Sequence, residues 1–106
     1  MPTSYLSETE APERASVNAL PGLTLLEFGT GWCGHCGAAQ TLVAQALATF
    51  PQWQHLKIED GSGRPLGRSF RVTLWPTLIF LRDGQELVRL VRPTSVQDIL
   101  AAMSKV

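Results

Sequence analysis

The side chains best suited to covalent chemistry lie together in Thr30-Gly31-Trp32-Cys33-Gly34-His35-Cys36, which contains both cysteines of the chain. Two residues separate the thiols. On the first turn of a helix, that spacing lets them close into a small disulfide ring and reopen. Attack on a disulfide requires a thiolate, and an ordinary thiol titrates near about pH 8.5, so one of the two must be activated. The positive end of a helix dipole supplies part of that activation, and a protonated His35 adds to it. Favouring the dithiol makes the disulfide the stronger oxidant. Two other readings stay open here: an inert buried pair, and a metal site built from Cys33, Cys36, His35 and His55. No metal is expected, because His35 is wedged between the thiols and the histidines lack the spacing of a zinc site.

These thiols need a strand before them and a helix after them. Leu23 to Gly29 is apolar on both faces except at Glu27, which predicts a central strand buried on both sides and running parallel to its neighbours. Glu27, if buried there, should have a raised pKa and so serve as base and acid for Cys36 near neutral pH. After the cysteines, Cys36, Ala39, Val43, Ala46, Leu47 and Phe50 recur at helical steps and mark one buried face, ended by Pro51. The remaining signals predict a short edge strand at Tyr5-Leu6 and a helix from Pro12 to Leu20 with Ala15, Val17 and Leu20 inward. They also give a strand from Trp53 to Glu59 and a short helix from Leu66 to Phe70. Trp75-Pro76 leads into a strand from Thr77 to Leu81. Asp83-Gly84 reads as a hairpin turn into a strand from Glu86 to Val91. A final helix begins at Pro93-Thr94, with Thr94 and Gln97 as a capping box and Val96, Ile99, Leu100 and Met103 inward. The order describes one α/β domain over residues 1–106, with residues 1–11 poorly defined.

The 106 residues carry a formal net charge of zero, so nothing in the whole-chain charge draws it to nucleic acid or a membrane surface. Charge is uneven, however, and most arginines fall between Arg64 and Arg92, either as a solvated basic face or as one that meets an anionic partner. No apolar run is long enough to span a membrane, and the acidic start with Glu8, Glu10 and Glu13 does not read as a secretion signal. The expected location is the cytoplasm, where a cycling disulfide is more plausible than a structural one; a periplasmic or secreted protein that lost its leader is the alternative. No Gly-rich nucleotide loop follows a strand, so no bound cofactor is expected beyond the redox-active Cys33–Cys36 pair.

Leu25-Leu26-Glu27-Phe28, Trp32-Cys33-Gly34-His35-Cys36, Trp75-Pro76-Thr77-Leu78 and Asp83-Gly84 resemble a thioredoxin in order and spacing, over about residues 12–104. The resemblance implies a thioredoxin fold with a mixed central β-sheet of four to five strands flanked by helices. It also implies that Cys33 is the exposed nucleophile, Cys36 the buried resolving thiol, Glu27 the acid that handles its proton, and Pro76 a cis-proline facing the disulfide. Trp32, Gly34, Trp75, Pro76 and Arg92 then fall where substrate is bound. Departures are evident. The Gly-His pair and the glutamate resemble protein disulfide isomerase domains. Gly29 stands where thioredoxins commonly have Trp, Thr41 where they often have Pro, and Arg92 where they usually have Gly.

The function that follows is reduction of protein disulfides by a monomer, with disulfide-containing proteins as substrates and a reductase or thiol donor restoring the dithiol. Three alternatives remain from the sequence: an oxidase or isomerase in an oxidising compartment, a docking module whose redox chemistry is incidental, and a metal chaperone.

Overall fold

The computed structural model describes residues 4–106, so part of the N-terminal segment considered above lies outside the described residues. Eight elements follow in order: α1 (Arg14–Asn18), β1 (Leu23–Gly29), α2 (Gly34–Thr49), β2 (Gln54–Glu59), α3 (Pro65–Ser69), β3 (Thr77–Arg82), β4 (Gln85–Val91) and α4 (Val96–Ser104). The four strands form a mixed sheet in the order β2-β1-β3-β4. β1 is central, as its two apolar faces require, but it is parallel only to β2 and antiparallel to β3. A direct hairpin joins β3 to β4, so their pairing is antiparallel as well.

Strand alternation sends each face of the sheet to its own core. Leu25, Leu78 and Phe80 pack with Val43, Leu47, Trp53 and Ile99, and so bind α2 and α4 to one side. Leu26, Phe28, Ile79 and Leu81 pack with Val17, Leu66 and Phe70, and bind α1 and α3 to the other. Trp53 meets Phe80 edge-on at 5.7 Å. The result is three layers, with β1 at the centre of both cores.

Several local expectations are corrected. α1 begins at Arg14, after Pro12, and leaves Ala15 exposed, because only one turn is needed to seat Val17. β2 begins after Trp53, whose side chain is core. Tyr5-Leu6 makes a single bridge, Leu6 to Ile58, instead of a strand. α4 is capped by Ser95, whose hydroxyl accepts from the Asp98 N–H at 3.2 Å, so the Thr94–Gln97 box does not form. Ser95 takes the cap because its own backbone is still extended, with φ −143° and ψ 150°, while the helix begins at Val96. The hairpin turn is at Asp83-Gly84, both with positive φ, as two-residue hairpins prefer. Among the described residues no helix is long and apolar enough to cross a membrane.

The arginines from Arg64 to Arg92 are unequally engaged, and Arg68 and Arg71 are exposed. Arg64 pairs with Glu59 at 2.8 Å, Arg89 with Glu86 at 2.7 Å, and Arg82 donates to the Val106 carbonyl at 2.9 Å.

Candidate active site

β1 ends at Gly29 and hands the chain through Thr30-Gly31-Trp32 to α2, whose N-cap is Cys33. The Cys33 Sγ accepts the Cys36 backbone N–H at 3.2 Å, so the sulfur sits on the positive end of a sixteen-residue helix. Both cysteines are thiols in this structure, Cys33 partly exposed and Cys36 buried at 1%. The sequence order of nucleophile before resolving thiol thus coincides with an order of accessibility. Burial, reinforced by the neighbouring Cys33, pushes the Cys36 thiol up to about 11.

That asymmetry has a direct chemical consequence. At pH 8 the reduced protein should be alkylated by iodoacetamide at Cys33 at least ~100-fold faster than at Cys36, which mass spectrometry of partly modified protein would quantify. Comparable modification of both residues would show that Cys36 is not held as a buried thiol. The sign on stability is fixed too. A thiol raised in the fold contributes stability below its ordinary pKa, and that contribution is lost as pH climbs from about 9 towards 11.

Facing Cys33 is the Trp75-Pro76 peptide, which is cis. The Trp75 carbonyl lies 3.9 Å from the Cys33 Sγ. Arg92, just past the end of β4, clamps this peptide: its backbone N–H donates to the Pro76 carbonyl and its Nε to the Trp75 carbonyl, both at 2.9 Å. Trp32 is 79% exposed and meets Trp75 edge-on at 5.6 Å. The Trp75 indole N–H is anchored to the buried Asp60 carboxylate at 2.8 Å. Trp32, Trp75 and Pro76 therefore surround the exposed sulfur with an apolar wall. Gly34 and His35 are exposed on the first turn of α2.

Glu27 is fully buried, as the apolar strand implied, but its expected titration is overturned. Burial alone would raise its pKa. Hydrogen bonds from His55 and Gln40 and the nearby Lys57 charge outweigh burial and hold the carboxyl below its ordinary range. His55 Nε2 lies 2.8 Å from Oε1, and Gln40 Nε2 donates to Oε2 at 3.0 Å. Lys57, paired with Glu27 in the β1–β2 register, donates from Nζ to Gln40 Oε1 at 2.7 Å. The Tyr5 hydroxyl completes the set, donating to Glu27 Oε2 at 3.1 Å.

The structure thus brings Glu27, Cys33, Cys36, Trp75, Pro76, Trp32 and Arg92 together, with Gly34 and His35 on the adjoining turn. Sequence reasoning missed Tyr5, Gln40, Lys57 and Asp60 as site residues and weighed His55 only as a metal ligand. A signal existed for two of them. His55 and Lys57 are polar residues two apart in β2, on the face that parallel pairing must turn towards Glu27. His55 is committed to Glu27, so it does not join the cysteines as the metal reading required.

The arrangement offers one accessible sulfur at a helix N-terminus, a second thiol behind it, and a buried carboxylate with a polar network. These are the parts of dithiol–disulfide exchange. Comparison with known proteins agrees. Residues 6–105 match the family model described as Thioredoxin. Thioredoxin from Chlamydia trachomatis is 33% identical over 85 residues, which span 79% of this chain and 82% of that protein. The reduced structure of thioredoxin 2 from Pseudomonas aeruginosa is 52% identical, superposes with a TM-score of 0.84, and is matched over 98% of this chain and 94% of that one. Mitochondrial thioredoxin 3 from Saccharomyces cerevisiae, at 19% identity, shares the fold with a TM-score of 0.75. Sequence, site and fold therefore place this chain in the thioredoxin family, as a thiol–disulfide oxidoreductase.

Proposed function

We propose that the protein works in the reducing direction, on disulfides of other proteins in the cytoplasm, as a monomer. The observation that carries the exchange chemistry is the unequal pair: an accessible Cys33 sulfur at a helix N-terminus, with a buried Cys36 thiol directly behind it. Cys33 thiolate attacks a substrate disulfide, forms a mixed disulfide and expels one substrate thiol. Cys36 then attacks the Cys33 sulfur and expels the second, leaving the Cys33–Cys36 disulfide. Glu27 takes the proton that Cys36 gives up. His35 favours the dithiol from its place beside Cys33. Trp32, Gly34, Trp75 and Pro76 form the surface that meets the substrate. The Trp75 carbonyl is the acceptor that an extended substrate strand would use, and Arg92, already bonded to it, guides that strand. The dithiol pair is the electron carrier, with no separate cofactor, and a reductase or thiol donor restores it.

Cys36→Ser is the decisive variant. A catalyst of this type should accumulate a covalent Cys33–substrate disulfide, close to one per chain and reversed by reductant, while turnover stops. Unchanged non-covalent binding without a trapped disulfide would overturn the reading and leave a docking module. The direction of flow is read from the equilibrium with glutathione. A potential of roughly −200 to −250 mV is expected, because His35 raises the couple above a Gly-Pro thioredoxin. A value near about −180 mV would point instead to an oxidase or isomerase, which the Gly-His pair also suits.

A further inference from the structure

The resolving step poses a problem that the described geometry does not solve with Glu27 and Cys36 alone. Cys36 is buried and protonated, and it must lose its proton as it attacks. Glu27 is the buried base. Between them stand two polar side chains. The Gln40 amide donates to Glu27 Oε2 and to the Cys36 carbonyl, and its oxygen is occupied by Lys57. An amide fixed in this way cannot pass a proton on. A hydroxyl can, because it accepts and donates at the same oxygen.

Tyr5 supplies that hydroxyl. It donates to Glu27 Oε2 at 3.1 Å. It also lies beside the Cys36 sulfur, and the reason is Gly29. A side chain begun at Gly29 would meet the Cys36 Sγ at 2.6 Å and the Tyr5 hydroxyl at 2.9 Å, so both atoms close over the space that glycine leaves empty. Any larger residue at position 29 would push Tyr5 out. The two groups are near enough for each to influence the other's titration. Lys57 Nζ lies 4.4 Å above the Tyr5 ring centroid and helps to hold the ring there. A cleft of about 420 Å³, lined among others by Tyr5, Thr30, Cys36, Gln40, Lys57 and Glu59, opens this corner to water.

We infer that Tyr5 is a proton-transfer residue of the resolving step, carrying the Cys36 proton to Glu27. This rests on the thiol–disulfide mechanism proposed above. In the mixed disulfide, Cys36 S–H gives its proton to the Tyr5 oxygen while the Tyr5 O–H proton moves to Glu27 Oε2. The Cys36 sulfur bonds to the Cys33 sulfur, and the bond from Cys33 to the substrate sulfur breaks. Substrate leaves with the electron pair as a thiolate, Tyr5 is unchanged, and Glu27 is left protonated until it returns the proton to water through the cleft. Proton loss and attack are concerted, because a carboxylate with so low a proton affinity would not strip the resting thiol. Bonding Cys33 to substrate also removes the neighbour that helps keep Cys36 protonated.

The groups facing Tyr5 and Cys36 are Glu27 from β1, Cys33 and Gln40 from α2, and His55, Lys57 and Glu59 from β2. Glu27 is ionised down to below the ordinary carboxylate range, so relay through it makes resolution nearly independent of pH between about 6 and 8. Without the relay the reaction must wait for the rare thiolate, whose fraction rises tenfold for each unit of pH.

The test is stopped-flow reaction of the reduced protein with a nitrobenzoate disulfide whose thiol product is coloured. The first phase of colour reports attack by Cys33, and the second reports release by Cys36. Tyr5→Phe keeps the ring and removes the hydroxyl. Its first phase should match the unmodified protein. Its second should be slower by about 100-fold at pH 7 and gain a tenfold rise per pH unit. Glu27→Gln should behave likewise, and adding Tyr5→Phe to Glu27→Gln should slow the second phase no further. If Glu27→Gln slows the second phase but Tyr5→Phe leaves it within twofold and flat with pH, the relay is overturned while the role of Glu27 stands. If Glu27→Gln itself leaves the second phase unchanged, both fall. Equal slowing of the two phases by Tyr5→Phe, or additive slowing in the double variant, would mark Tyr5 as merely structural and overturn the proposal.

Discussion

Cys33→Ser is expected to lower disulfide reduction by at least about 10⁴-fold without weakening the fold. The chain has one other sulfur nucleophile, Cys36, which is 1% exposed and whose thiol is pushed up to about 11. It cannot meet a substrate disulfide without opening α2. A serine hydroxyl does not replace the lost thiolate, since it is neutral at working pH and a poor partner for sulfur. As a helix cap, however, serine is the better residue. The Cys33 Sγ accepts the Cys36 N–H at 3.2 Å, and a serine oxygen makes a shorter and stronger bond of the same kind. Activity and stability should therefore separate. Turnover of a disulfide-bonded protein with a small dithiol as donor should fall to background, while the thermal midpoint stays level or rises slightly. Residual turnover above a few per cent would show that the reaction has another entry point than Cys33.

Gly84→Ala should have the largest effect on stability for its size. Gly84 sits in the β3–β4 turn at φ +80°, where an L side chain is strained, and its missing Cβ would lie 2.0 Å from the Asn18 carbonyl oxygen. That neighbour is backbone at the end of α1 and has no rotamer to change. The turn is also tied to the chain before β1, since the Asp83 N–H donates to the Gly22 carbonyl at 2.8 Å and the Asp83 carboxylate accepts the Gly22 N–H at 2.7 Å. Strain at positive φ costs about 1–2 kcal/mol, and forced overpacking about 1–3 more. A loss of about 2–5 kcal/mol lowers the midpoint by roughly 10 °C or more in a chain of this size. Gly63 is the internal control. It has φ +77° but nothing within 4 Å of a built Cβ, so Gly63→Ala should cost about 1–2 kcal/mol only. Equal losses at the two positions, measured by urea denaturation, would show that the packing against Asn18 is not what makes Gly84 necessary.

How much of this was legible follows from where each constraint resides. The sheet, its central strand and the buried face of α2 were carried by local periodicity, which a chain displays openly. The depth of Glu27 was legible for the same reason, Cys33 and Cys36 from their two-residue spacing, and their separate roles from the resemblance. What surrounds Glu27 was not. His55 is 28 residues away along the chain, and only the parallel register of β1 with β2 brings it within 2.8 Å. Reading Glu27 by its burial alone gave the wrong direction for its pKa, because the opposing hydrogen bonds belong to tertiary structure. Tyr5 was less legible still, in a polar segment with no periodic pattern to orient it. The α4 cap shows the limit at its smallest. Thr94 with Gln97 and Ser95 with Asp98 are both plausible caps one residue apart, and only the folded backbone, still extended at Ser95, decides between them.

The bridge at Leu6 has a consequence for how the molecule behaves among its own copies. β2 is the outermost strand of its side of the sheet, and an outer strand presents unpaired N–H and C=O groups that another chain can use as a template. Leu6 uses them first: its N–H bonds the Lys57 carbonyl at 2.7 Å, and its carbonyl accepts the Glu59 N–H at 2.9 Å. Those bonds cover the part of the strand nearest the site, and they also fix the backbone one residue from the Tyr5 hydroxyl. A few residues near the start of the chain thus cover part of an outer strand and place the Tyr5 hydroxyl beside the buried Glu27 carboxylate.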